Sequence, residues 1–260
     1  MKKVLIVLAI VILIVIIGII VIKWIGQDKD GNGEIGVVEP QPEIPLSEKI
    51  NVSVVTRNND STRCTVRTER PYIENLPDYS KQDVINNKIS NSINPYITEI
   101  NVVSEGSTTV VSNDNLVDTK LYSYYVTFDR YNNDKYLTLV VNQDIRISLA
   151  GNEVGGLRSN KWKDTYVIDC ETSKEVSLGD ICNFANYKSY IVDEINRQAR
   201  INNIPLVGNS QLIDIPDSQR FFIKDNKLFI YFEPASIAPY LAGELIFEMP
   251  FTYSNGQFVR

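Results

Sequence analysis

Asp28, Asp30, Asn32, Glu34 and Glu39 stand at positions one, three, five, seven and twelve of the stretch DKDGNGEIGVVE, with Gly33 at six. Calcium is a hard cation that takes six to eight oxygens. Carboxylates on alternate residues, a glycine that turns the chain and a terminal bidentate Glu are the pattern of an EF-hand loop. Asp28, Asp30, Asn32, the Glu34 carbonyl and Glu39 would be the ligands. Pro40 and Pro42 remove the exiting helix that an EF-hand uses, and no second loop of this kind follows. Two readings stand: a lone, weak calcium site in the range of extracellular modules, and a solvated acidic linker that fits the spacing.

The chain has no histidine, which excludes Ser-His and Cys-His nucleophile pairs and the common zinc ligand sets. Paired carboxylates remain as a route to glycoside hydrolysis, and Asp169, Asp180, Glu233 and Glu244 are the candidates. Surface charges and turn caps are the competing roles for all four. Cys170 and Cys182 flank a short turn-bearing segment; a disulfide there would stabilise by about 3 kcal/mol in the loop-entropy account, and sequence leaves the pairing open. Cys64 fits a small buried apolar residue in a strand.

The elements that must position these residues begin with Val4 to Ile22, nineteen residues of Val, Leu, Ile and Ala broken by Gly18. That length matches a bilayer core at the helical rise, and no cleavage site or lipobox cysteine follows it. Residues 4–24 are therefore expected to be a transmembrane signal anchor, with residues 1–3 in the cytoplasm. Lys2 and Lys3 precede the span and the acidic loop follows it, so everything after Trp24 is expected outside the cell membrane. Removing Lys2, Lys3 and Lys23 from the 26 basic residues leaves 23 against 32 acidic ones, about minus nine outside. An acidic surface disfavours nucleic acid and favours a cationic protein as partner. Residues 25–49, with the glycine-rich loop and EPQPEIP, read as an extended extracellular linker.

The rest is expected to be α+β, a mostly antiparallel sheet with two main helices. Ser80 and Asp83 suggest a capping box ahead of a stripe of Val84, Ile85, Ile89, Ile93, Ile97 and Ile100, with Pro95 kinking or interrupting it. A second helix spans about Asn186 to Asn202, with Tyr190, Ile191, Ile195 and Ala199 on its apolar face. Strands are expected at Asn51–Arg57, Cys64–Thr68, Tyr122–Arg130, Lys135–Ser148 and Lys163–Asp169. Phe221–Ile223 and Leu228–Phe232 bracket KDNK as a hairpin, and Glu244–Thr252 closes the sheet.

The stretch LFIYFEPASIAPYLAGELIFEMPF resembles the signature of the RsiV-like exported domain family, through Phe232, Ala238, Pro239, Tyr240, Ala242, Gly243 and Pro250. Upstream, Thr172, Lys174, Leu178 and Asp180 fit a strand, Thr-Gly-Lys turn and L-x-D segment of that family, from which Ser173 and Cys182 depart. Pro71, Ile73, Ile85 and Asn86 fit its companion N-terminal module. The resemblance implies an N-terminal module over residues 50–118 and an RsiV-like C-terminal domain over 119–260. Such modules occur in membrane-anchored envelope proteins, some the lysozyme-binding ectodomain of an anti-sigma factor, others preceding a peptidoglycan deacetylase domain. The expected function is then a membrane-anchored extracellular sensing module for a lysozyme-like protein or cell-wall glycan (peptidoglycan), with a carboxylate-based envelope enzyme as the alternative. Tyr240, Pro239 and Gly243 are expected to form the binding surface, since tyrosine is favoured at interface hot spots; a plain strand-reversing turn is their competing role. Arg158 joins them as a departure, standing where many relatives carry a histidine after Gly-Gly.

Overall fold

The computed structural model describes residues 44–61, 64–106, 119–150, 158–208 and 211–260. Residues Ile44–Arg260 make one compact unit. The anchor expected at 4–24 and the calcium-type loop lie outside the described residues. Among the described residues no helix is long and apolar enough to cross a membrane.

The elements run α1 (Leu46–Lys49), β1 (Asn51–Asp60), β2 (Cys64–Glu74), α2 (Tyr79–Gly106), β3 (Thr119–Asn132), β4 (Tyr136–Ala150), β5 (Arg158–Asp169) and β6 (Lys174–Glu175). There follow α3 (Leu178–Ile181), α4 (Tyr187–Ile201), β7 (Phe221–Lys224), β8 (Lys227–Phe232), a 3-10 turn (Tyr240–Ala242), β9 (Leu245–Glu248), β10 (Thr252–Ser254) and β11 (Gln257–Val259). The class is α+β with mostly antiparallel sheets. A six-stranded sheet has the order β1-β2-β3-β4-β5-β6, and β2 and β3, joined through α2, form its parallel pair. β7-β8-β9 form a separate antiparallel sheet, so the final strand does not close the main sheet as expected. Alternating patterns identify strands, whereas sheet membership depends on pairings far apart in sequence.

Strand alternation assigns each core. Leu137, Leu139 and Val141 of β4 and Trp162, Tyr166 and Ile168 of β5 point to one face, which α2 covers with Ile85, Ile89, Ile93 and Ile97. On the opposite face Val140 packs with Phe222 and Tyr231 of the small sheet. The small sheet's other face, with Phe221, Ile223, Leu228, Ile230 and Phe247, packs with Ile191, Val192 and Ile195 of α4. Phe258 of the C-terminal hairpin is fully buried in that second core.

Local chemistry bears on three further points. Asp78, not Ser80, caps α2: its Oδ1 accepts the Ser80 N–H at 3.0 Å and the Lys81 N–H at 3.2 Å. The helix is not interrupted at Pro95 and runs on to Gly106; Asn91, whose carbonyl a proline one turn on leaves without its helical partner, is an exposed residue. Cys64, Cys170 and Cys182 are all free thiols and all buried. Cys170 extends the β5 face beneath α2, whereas Cys182 lies in the core on the sheet's other side, so the two cannot meet. Burial pushes both thiols up to about 12.

Candidate functional site

The segment between β8 and β9 is shaped by its own residue types. Ala238 is buried as an anchor, and Pro239, with φ −54 and ψ 147, turns the chain out of the core. One 3-10 turn follows, closed by the Ala242 N–H to the Pro239 carbonyl at 2.8 Å and the Gly243 N–H to the Tyr240 carbonyl at 3.0 Å. Gly243 ends it at φ 71, ψ −154, a conformation that side chains with a Cβ avoid. No atom lies within 4 Å of where a Cβ would stand, so the requirement for glycine is conformational and not steric.

The turn is tied to the large sheet at two places. Tyr240 donates its hydroxyl to the Ser159 carbonyl on β5, although the residue is 56% exposed. Glu244, next after the turn, accepts the Lys163 ammonium at 2.9 Å and the Tyr231 hydroxyl at 3.0 Å. That hydroxyl in turn accepts the Lys163 backbone N–H at 2.9 Å. Burial, and then the Glu244 carboxylate, push the Tyr231 hydroxyl up, which keeps it a donor at any physiological pH. Between these ties Leu241 stands 97% exposed.

Ser159 links the turn to a polar patch. Its carbonyl takes Tyr240, while its hydroxyl donates to Asp144 at 2.8 Å. Arg146 donates to Asp144 from Nε at 2.8 Å and from a terminal nitrogen at 2.7 Å, and its guanidinium lies 4.8 Å from the centre of the Tyr125 ring. Burial raises the Asp144 carboxyl, but the Arg146 and Ser159 hydrogen bonds outweigh it and hold the group below its ordinary range. A concavity of about 420 Å³ opens here over the strands, with Lys161, Lys163 and Glu244 at its wall.

Of the expected binding residues, Pro239, Tyr240 and Gly243 form one turn, and Tyr240 reaches the strand that Arg158 begins. Arg158 pairs with Ile147 in the β4–β5 ladder, next to Ser159. Leu241 was not singled out from sequence, although an apolar residue inside a Pro-Tyr-x-Ala-Gly turn has no core to enter and so signals exposure. The four candidate carboxylates each serve a local partner. Asp169 accepts the backbone N–H groups of Glu171 and Thr172, both at 2.9 Å. Asp180 closes a capping box with Ser177, whose hydrogen bonds lower its pKa. Glu233 takes Arg220, and Glu244 takes Lys163 and Tyr231. Among the described residues no three His, Cys, Asp or Glu side chains cluster as a metal site.

Fold and site define an α+β domain that presents a hydrogen-bonded, partly apolar turn beside a polar sheet face. The model of a family described as "Protein of unknown function (DUF3298)" matches residues 180–252, which contain that whole turn. A member of the DUF3298 family from Bacteroides fragilis has a solved structure similar to this one, with a TM-score of 0.53 at 12% identity, covering 77% of this chain and 89% of that one. That likeness is one of fold. A DUF3298 family protein from Pseudomonas aeruginosa gives a TM-score of 0.48 at 12% identity, over 83% of this chain and 100% of that one. No curated protein matches the chain.

Proposed function

We propose that this chain is a membrane-anchored extracellular binding module whose Pro239–Gly243 turn engages a lysozyme-like cationic protein. The observation that supports it is the pairing of exposure with attachment: Tyr240 and Leu241 face solvent while Ser159, Lys163 and Tyr231 hydrogen-bond the turn and the residue after it. A preorganised aromatic and apolar tip loses little entropy on binding, which is what an interface anchor needs. The resemblance to RsiV-like domains points the same way. So does the excess of acidic residues, which favours encounter with a cation-rich partner.

In this reading residues 4–24 hold the module at the membrane and residues 25–43 carry it away from the surface, the last part of the linker expected at 25–49 being α1 of the compact unit. Asp28, Asp30, Asn32, the Glu34 carbonyl and Glu39 would be the residues to hold calcium, which would stiffen the linker, and without the ion the stretch is a solvated acidic spacer. The enzyme reading has less support, because Asp169, Asp180, Glu233 and Glu244 are each engaged by a local partner. The test is association of the full chain, in detergent micelles, with hen-type and bacterial-wall-active lysozymes. Binding at micromolar concentration that weakens as salt rises is expected. Release of sugar or acetate from peptidoglycan without any such association would overturn the proposal.

A further inference from the structure

β1 is one edge of the six-stranded sheet, and its antiparallel pairing with β2 is continuous from Asn51↔Glu74 to Asp60↔Thr65. In such a ladder alternate residues bond to the neighbouring strand and the others turn their backbone groups outward. Two contacts set which are which. The Ser61 N–H donates to the Cys64 carbonyl at 2.8 Å, which continues the ladder with the odd-numbered residues of β1 bonded to β2. Ile73, opposite Val52, gives both of its backbone groups to Asn86 instead. Val52, Val54, Thr56 and Asn58 therefore point their N–H and C=O groups at the open side. Among the described residues none of these groups has a partner.

Natural edge strands are blunted by lysine, proline, a bulge or shortness. β1 has none of these over its 10 residues: NVSVVTRNND holds no Lys, Pro or Gly, and its register is unbroken. Val54 and Val55 stand at its middle, 54% and 37% exposed, one on each face of the sheet. No charged residue stands from Asn51 to Thr56, and Asp60 is already paired with Arg67, so the edge offers little to a charged peptide. What it matches is a second copy of itself. Because only even-numbered residues face outward on both strands, a two-fold pair that keeps most of the edge is centred on Val54, Val55 or Thr56. Only the Val55 centre sets valine against valine at the close, non-hydrogen-bonded spacing. It also sets Arg57 opposite Ser53, so no like charges oppose.

We infer that two copies of this chain join along β1, antiparallel about a two-fold axis through Val55, so that their main sheets run on as one. Val54 bonds the partner's Thr56 and Val52 bonds the partner's Asn58, with the reciprocal pairs across the axis. Each pair exchanges two bonds, about eight in all. Val54 and Val55 lose their exposure on opposite faces of the joined sheet. The interface uses neither the Pro239–Gly243 turn nor β5, which holds it, so it is independent of what the turn binds.

The test is the association state of the full chain in micelles, by analytical ultracentrifugation, together with cysteine cross-linking. The native thiols are buried, so an introduced cysteine on β1 is the reactive one. Cα atoms at a non-hydrogen-bonded antiparallel position stand about 4.5 Å apart, within disulfide reach. Val55→Cys should therefore give a disulfide-linked dimer under mild oxidation, at least tenfold faster than Val54→Cys. Thr56→Pro removes an N–H that β2 does not use, so the folded variant should dimerise at least tenfold more weakly. If that variant fails to fold, the contrast between the two cysteine positions decides alone. A chain that stays monomeric at high micromolar concentration overturns the inference. So does a dimer that Thr56→Pro leaves intact, which would be held elsewhere, or cross-linking at Val54→Cys as fast as at Val55→Cys.

Discussion

The side-chain amide of Asn86 brackets the backbone of Ile73, its Oδ1 accepting the Ile73 N–H at 2.9 Å and its Nδ2 donating to the Ile73 carbonyl at 2.9 Å. β2 pairs with β3 only from Cys64 to Thr68, so beyond that point α2 supplies through Asn86 what a neighbouring strand otherwise would. Asn86→Ala leaves two buried backbone groups unpaired and is expected to cost about 2 to 4 kcal/mol. Urea unfolding followed by circular dichroism measures it, and Asn86→Asp, which sets a second acceptor against the Ile73 carbonyl at a buried position, should be at least as destabilised as the alanine variant at neutral pH.

Gly243→Ala tests the turn without touching packing. Its Cβ meets nothing, so the expected cost of about 1 to 3 kcal/mol is backbone strain at φ 71. A calorimetric scan should show the midpoint lowered by several degrees, and an unchanged midpoint would show that the turn relaxes freely.

Much of this architecture was legible in the chain, and the rest depended on geometry. The isoleucine stripe of α2 and the KDNK hairpin announce themselves by period and turn chemistry; Asp225 and Asn226 at the hairpin tip have φ 52 and 57, as a primed turn requires. The Asn255-Gly256 turn, with φ 50 and 75, carries the same signal but escaped the sequence reading. It sits within a few residues of the C-terminus, between three-residue strands too short to alternate. Ser173 stands where the resembling family has glycine, and its φ of 57 shows that the left-handed geometry is kept; its hydroxyl accepts the Asp78 N–H at 2.9 Å. At the turn, Pro239, Tyr240 and Gly243 were visible as types. Ser159 and Lys163, which hold them, were not, because contacts some eighty residues apart leave no local pattern.

Thiol chemistry should be silent in the native protein. Burial raises Cys170 and Cys182 to about 12, so at pH 8 almost none of either is thiolate. Iodoacetamide should leave both unmodified until denaturant is added, and mild oxidants should not link them. Native-state alkylation at either residue would place it outside the core described above.

Acid should weaken the polar patch in a definite direction. The folded-state pKa of Asp144 lies below its unfolded value, so its stabilising contribution is complete above about pH 4 and is lost as pH falls through the folded pKa. The stability difference between parent and Asp144→Asn, from urea midpoints, should therefore be largest near neutrality and shrink below about pH 4. A difference that grew on acidification would mean that the Arg146 and Ser159 bonds do not favour the carboxylate.

Tyr240 and Leu241 separate anchoring from support. Leu241 is almost fully exposed and packs against nothing in the core, so Leu241→Asp is expected to change folding stability by no more than about 0.5 kcal/mol. If the turn is the binding tip, the same change should weaken lysozyme association by at least about 2 kcal/mol, the scale of a hot-spot loss. Tyr240→Phe keeps the ring and removes the hydroxyl that reaches Ser159, so it tests support alone. It should loosen the turn, seen as faster amide exchange at Ala242 and Gly243, with a smaller effect on affinity than Tyr240→Ala. Matching circular dichroism spectra are required for all three variants. Full association by both Leu241→Asp and Tyr240→Ala would move the binding surface away from the turn.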